Sequence, residues 1–105
     1  MSIRAKVGVV TVYVDDWRQL ATVGPVTARW SHLTADTTEE LHRFAHRLGM
    51  PPQLFQPHAH DVRRDHYDVT EEGRRRAIAL GATPVTWREA ARLRRLARQA
   101  ETEGG

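Results

Sequence analysis

The 105-residue sequence contains no cysteine, which excludes disulfides, thiolate zinc sites, iron–sulfur clusters and a cysteine nucleophile. Any metal would have to be held by His, Asp and Glu. There is no long apolar run either. The longest, from Val7 to Val14, is interrupted by Gly8 and Thr11 and is far too short to span a membrane. Arg4 and Lys6 stand near the N-terminus with no apolar segment and small-residue cleavage site behind them, so no signal peptide is expected. A cytoplasmic location is the expectation, although a cysteine-free chain is equally compatible with export. No serine sits in a nucleophile elbow, no glycine-rich phosphate loop is present, and no internal repeat is found. Lysine is nearly missing: of sixteen basic residues only Lys6 is a lysine. Arginine favours bidentate contact with phosphate or carboxylate, but coding bias alone gives the same composition.

What is present suits one domain with one modest core. Residues 1–69 hold eight basic and eight acidic residues and balance; residues 70–105 hold eight Arg and five Glu and supply the whole net charge of +3. An anionic small molecule or a nucleic acid is therefore a natural partner for the C-terminal part.

Val7 to Val14 reads as a buried strand, followed by Asp15 and Asp16. Gln19 to Val26 reads as a connection, punctuated by Gly24-Pro25. Thr27 to Thr34 has strand character, with Ala28, Trp30 and His32 on one face and Arg29, Ser31 and Leu33 on the other. Thr37 and Glu40 fit a capping box, with Asp36 and Thr38 as alternative caps. Leu41, Phe44, Ala45 and Leu48 then mark an amphipathic helix that Gly49 ends. Gln53 to Asp65 is loop-like, and His66 to Val69 a short strand. A helix follows from Glu71 to about Leu80. Thr83 to Val85 is a brief edge piece, and Thr86 and Glu89 open a last helix to about Ala100. In that helix Trp87, Ala90, Leu93, Leu96, Ala97 and Ala100 form an apolar side opposite Arg88, Arg92, Arg95 and Arg98. The expected fold class is α/β: a small two- or three-layer domain with a short, mostly parallel sheet of three to four strands and about three helices. It would span residues 10–101, between an N-terminal extension (1–9) and a disordered tail (102–105).

Polar residues gather at element ends. The run from Trp30 to Asp36 brings His32 and Asp36 to a strand–helix junction. In open α/β sheets ligands bind beyond the carboxyl ends of the strands, so Asp15, Asp16, His32, Asp36, Tyr67 and Asp68 are the candidate catalytic residues. His32, His66 and Asp15 are the candidate ligands for a divalent transition metal such as zinc, manganese or nickel. Arg29, Trp30 and Arg76 are candidates for substrate binding. Each has a plainer reading beside it: a cap for one aspartate and solvation for the other, a hydrogen-bonded core position for His32, and a solvated face for Arg74 to Arg76. His42 and His46 lie four apart, a chelating spacing, on the flank of a helix without an acidic partner. His58-Ala59-His60-Asp61 pairs two histidines with a carboxylate, in what is otherwise an exposed loop.

Several stretches also resemble an established family. Val12 to Asp16, Ala28 to Leu33 with Ala35-Asp36, and Glu40-Leu41-His42 leading into Phe44-Ala45 and Arg47 to Gly49 form an ordered set. His66 to Thr70, Arg76 to Ile78 and Leu80 to Ala82 complete it. Together they resemble the bacterial and phage family called domain of unknown function 4031, from about Val10 to Val85. The resemblance implies a small stand-alone domain and no particular activity. It places Met1 to Val9, His58 and His60 outside the family pattern, and Glu72-Gly73 departs from it.

Three function classes follow. The first is a metal-assisted hydrolase acting on an anionic, phosphoester-like substrate, in which the metal polarises the reacting group or, without metal, a histidine acts as general acid–base. The second is a non-catalytic nucleic-acid or anion-binding module built on the Arg-rich helices. The third is a homo-oligomeric interaction domain that uses the apolar side of the last helix. No membrane partner is expected.

Overall fold

A computed structural model describes residues 11–59 and 61–104. Among them six strands and three helices form one α/β domain. In chain order these are β1 (Val12–Val14), β2 (Gln19–Val23), β3 (Val26–Ala35), α1 (Thr38–Arg47), β4 (Phe55–Gln56), β5 (His66–Val69), α2 (Glu71–Ala79), β6 (Thr83–Pro84) and α3 (Trp87–Gly104). Short 3-10 turns at Pro52–Leu54 and Val62–Arg64 flank β4 and its loop. Residues 1–9, expected as an extension, and His60 lie outside the described residues.

The sheet corrects the expectation of a short, mostly parallel one. Its order is β4-β5-β3-β1-β6 with β2 also on β3, and every pairing is antiparallel except β1 with β6. The cause is the segment from Gln19 to Val26, which is a hairpin rather than a connection. Val23 pairs with Val26 across Gly24-Pro25. Gly24 takes φ 59°, and the proline ring holds φ negative, the sign sequence of a II′ hairpin turn. A hairpin forces antiparallel pairing of β3 with the strand before it, and β5 then enters antiparallel on the other side of β3.

The core lies on one side of the sheet. Val12 and Val14 from β1, Leu33 and Ala35 from β3, and Tyr67 and Val69 from β5 meet Leu41, Phe44, Ala45 and Leu48 of α1 with Ala77 of α2. These are alternate strand positions, as a half-buried pleat requires. Thr37 caps α1 by accepting from the Glu40 N–H at 3.2 Å. Glu40 does not complete the box; its carboxylate accepts from the backbone N–H and hydroxyl of Thr11 and so ties α1 to the start of β1. Thr70 caps α2 by accepting from the Gly73 N–H at 3.2 Å. Thr86 and Glu89 make the full reciprocal box at 3.1 and 3.0 Å at the start of α3.

The intervening strand positions, Tyr13, His32, Thr34 and His66, face away from that core toward α3. The result is two layers well packed and a third resting on polar ground. Helix α3 turns Ala90 and, in part, Ala91, Arg94 and Ala97 inward. Its larger apolar residues Trp87, Leu93 and Leu96 remain exposed. A polar sheet face offers no apolar surface to large side chains, so the small residues take the contact. Arg98 and Arg63 both reach Asp61, at 2.9 and 3.3 Å, and Arg63 also pairs with Glu101, which clips α3 to the 61–64 segment. No helix among the described residues is long and apolar enough to cross a membrane.

Candidate functional site

The site begins with an irregularity in the hairpin. Between the pairs Val14↔Leu33 and Gln19↔Trp30, four residues, Asp15 to Arg18, face two, Ser31 and His32. The extra residues bulge, and Arg18 takes φ 51° to return the chain to register. Bulges of this kind re-aim side chains. Here the bulge buries Asp15 against His32. Asp15 Oδ1 accepts from the backbone N–H of His32 at 2.9 Å and of Trp17 at 3.1 Å, while Oδ2 lies 2.7 Å from His32 Nδ1. The Asp15 carboxyl is held below the ordinary carboxylate range. Burial opposes ionisation, but the His32 ring and the two N–H donors outweigh it.

Register brings the remaining groups alongside. His32 pairs with Asp68 across β3 and β5, and His66, two residues before Asp68, emerges on the same face. One ligand atom each from His32, His66 and Asp68 lie within 4.8 Å of one another. Asp68 Oδ1 is 3.5 Å from His66 Nε2 and 4.0 Å from His32 Nε2.

Hydrogen bonding fixes how the rings present themselves. The ionised Asp15 carboxylate only accepts, so His32 Nδ1 carries the proton of that bond. His66 Nδ1 sits 3.0 Å from the Arg64 carbonyl, which also only accepts, so the same follows there. Both Nε2 atoms are left to face one anionic oxygen. Two imine lone pairs and a carboxylate repel unless a proton or a cation lies among them. At His66 burial disfavours the charged form, but Asp68 and the Arg64 carbonyl prevail and raise its pKa. Asp68 is correspondingly lowered despite burial, through His66 and the Gln56 amide that donates to its other oxygen.

His32 and His66, with Asp15, open into a cavity of about 340 Å³ beneath α3, lined also by Trp17, His58, Arg64, Trp87 and Arg94, while Asp68 stands behind the two rings, outside that lining. The other residues singled out in the sequence go elsewhere. Asp16 accepts from the Trp87 backbone N–H at 2.8 Å and anchors the start of α3. Asp36 lines a separate, smaller cavity with Tyr13, whose pKa is raised by burial and then by the Asp36 carboxylate. Tyr67 is buried on the core side, where its hydroxyl meets His42 Nδ1 at 2.8 Å and burial raises its pKa. Trp30 is buried with its indole N–H on the Ala21 carbonyl at 2.9 Å. Arg29 donates to the Arg18 carbonyl and Arg76 to the Leu48 carbonyl, at 3.3 and 3.0 Å. His46 is exposed and His42 is engaged with Tyr67 and Phe55; the two line one groove with Met50 and Pro52, whose lining holds no acidic residue among the described residues.

Gln56, Arg64 and Arg94 are members of the site that sequence reasoning did not single out. Arg94 had a legible signal. It lies four residues after Ala90 and three after Ala91, on the small-residue face of its helix rather than among the outward arginines. Gln56 carries no signal, since the two-residue strand holding it exists only through its pairing with β5.

Fold and cluster together define a small α/β domain whose second sheet face carries a His₂–Asp constellation in a basic, tryptophan-rimmed cleft. The chain belongs to the family described as "Protein of unknown function (DUF4031)", whose model matches residues 12–98. No curated protein and no solved structure matches it.

Proposed function

We propose that His32, His66 and Asp68 hold a single divalent transition metal, and that the domain is a metal-assisted hydrolase acting on an anionic substrate of phosphoester type. The observation that carries the reading is the orientation of the two rings. Each Nδ1 proton is taken by an acceptor and each Nε2 is turned toward one carboxylate oxygen. Metal-bound histidines characteristically donate their other N–H to a carboxylate or a carbonyl, and Asp15 and the Arg64 carbonyl supply one of each. Two histidines and one carboxylate on one side leave further positions open to solvent and substrate.

A divalent ion at these atoms supplies Lewis acidity toward water and a phosphoryl or carbonyl oxygen. Asp15 fixes the His32 tautomer, the Arg64 carbonyl fixes that of His66, and Gln56 restrains Asp68.

The test is titration of chelator-stripped protein with zinc, manganese and nickel. One ion should bind per chain, and His32→Ala, His66→Ala and Asp68→Ala should each abolish binding together with any phosphoester hydrolysis. If wild type binds none of the three ions, or the variants bind as wild type does, the metal is removed from the account. The 2.7 Å His32–Asp15 pair then favours a second reading, in which His32 Nε2 is a general base oriented by a carboxylate. Hydrolysis that persists in chelator would select it.

A further inference from the structure

We infer that the cleft over the His₂–Asp cluster takes a mononucleotide, with its phosphate between Arg64 and Arg94 and its base against Trp17 and Trp87. The inference deepens the hydrolase reading and rests on it for the identity of the reactive end.

Arg64 and Arg94 line the same cavity as His32 and His66. The other inward-reaching arginines are used: Arg18, Arg63 and Arg98 pair with carboxylates, while Arg74 and Arg76 donate to backbone carbonyls. Among the described residues, neither the Arg64 nor the Arg94 guanidinium has a hydrogen-bond or carboxylate partner. Arg94 is nonetheless half-buried, and its pKa is lowered by that burial and then by the charge of Arg64, against the opposing charges of Asp61 and Asp15. A partly desolvated cation beside a second one gains from an anion that contacts both. Guanidinium forks match the oxygens of a phosphate, and His66 and Arg64 are near neighbours in the chain, so an anion held there adjoins the cluster.

The indoles narrow the class. Trp17 and Trp87 line this cavity and are 37% and 48% exposed, in a chain whose third tryptophan is buried. Trp17 is braced on the His32 ring at 5.1 Å, and Arg88 lies over the Trp87 ring at 5.2 Å. Exposed aromatic faces beside a cationic pocket suit base stacking above phosphate recognition. The 340 Å³ volume falls in the small-ligand range and is far too small for a duplex.

The experiment titrates the full chain in EDTA with adenosine 5′-monophosphate, adenosine and inorganic phosphate, read by tryptophan fluorescence and calorimetry. Adenosine 5′-monophosphate should bind roughly tenfold or more tightly than either fragment. Arg94→Gln should weaken it roughly tenfold while leaving adenosine unchanged, and exposed Arg64→Gln serves the same purpose should the first variant not fold. Trp87→Ala should weaken it about fivefold while leaving phosphate unchanged. Equal affinity for nucleotide and phosphate, indifference to both arginine changes, or binding of a short single strand without binding of the mononucleotide would overturn the inference. Asp68→Ala separates the two readings, since Asp68 belongs to the ligand set but not to the lining of the cavity: the variant should lose zinc and keep the nucleotide in EDTA. Zinc bound without nucleotide sinks this inference alone, and nucleotide bound without zinc sinks the metal alone.

Discussion

Asp15 uses both carboxylate oxygens and leaves no freedom in how they are used. Oδ1 takes two backbone N–H groups and Oδ2 takes the His32 ring. An asparagine at this position must keep its carbonyl oxygen on the two backbone donors, which turns its amide N–H₂ toward His32 Nδ1. The ring then has to accept at Nδ1 and carry its proton on Nε2, where the metal would bind. Asp15→Asn should therefore lower zinc affinity roughly 10- to 100-fold, the usual cost of losing a supporting partner. It should do so with little change in the thermal midpoint, because the backbone bonds survive. Calorimetric zinc titration checks it; wild-type affinity in the variant would mean that the tautomer is not held by Asp15. The same geometry explains what the sequence concealed. Asp15 and Asp16 are adjacent and chemically identical, yet the bulge turns one to His32 and the other to the first turn of α3. Tyr67 and Asp68 are adjacent as well, and the pleat sends them to opposite faces. Residue types at strand ends were readable, but which of two neighbours enters the cleft depends on register.

The helices were legible because their apolar periods and caps are local. Leu41, Phe44, Ala45 and Leu48 face the core as their spacing implies, and Thr86 caps as its position implies. Strand β2 was not legible because none of its residues is buried, so no hydrophobic alternation announces it. Missing it removed the hairpin and with it the antiparallel sheet. Helix α3 carries the apolar side that its spacing implies, but most of that side stays exposed. The surface it meets is polar, and besides the buried Ala90 and the Asp16 contact it is held by Asp61. Burial disfavours the Asp61 carboxylate, yet the Arg63 backbone N–H, the Arg98 guanidinium and the charges of both arginines hold its pKa below the ordinary value. A carboxyl lowered in the folded state contributes fully above the unfolded pKa of about 3.9 and loses that contribution as pH falls through the folded value. Acidification below about pH 4 should therefore loosen α3 in the wild type. Asp61→Asn should show the looser helix already at neutral pH, with a smaller further change on acidification. Helical circular dichroism across the acid range reads both, and parallel curves for the two proteins would show that Asp61 does not clip the helix.

Seen as one body, the domain is asymmetric. One sheet face carries nearly all of its apolar burial, while the other carries the cluster, the cleft and a helix that buries Ala90 but leaves Leu93 and Leu96 in solvent. Segments with few buried apolar contacts open at lower free energy than the core they rest on. Native-state hydrogen exchange should therefore divide the chain in two. The amides of β1, β5 and the C-terminal half of β3 should exchange through global unfolding, with a denaturant dependence matching that of equilibrium melting. Those of α3 should exchange through a smaller opening that depends less on denaturant. Because α3 lines the cleft, anything that binds between Arg94 and the sheet must slow this opening by mass action. Zinc alone, held on the sheet by His32, His66 and Asp68, should protect β3 and β5 more than α3, whereas adenosine 5′-monophosphate should protect α3. Exchange of α3 in step with the core strands, in the free protein, would mean that the two faces melt as one.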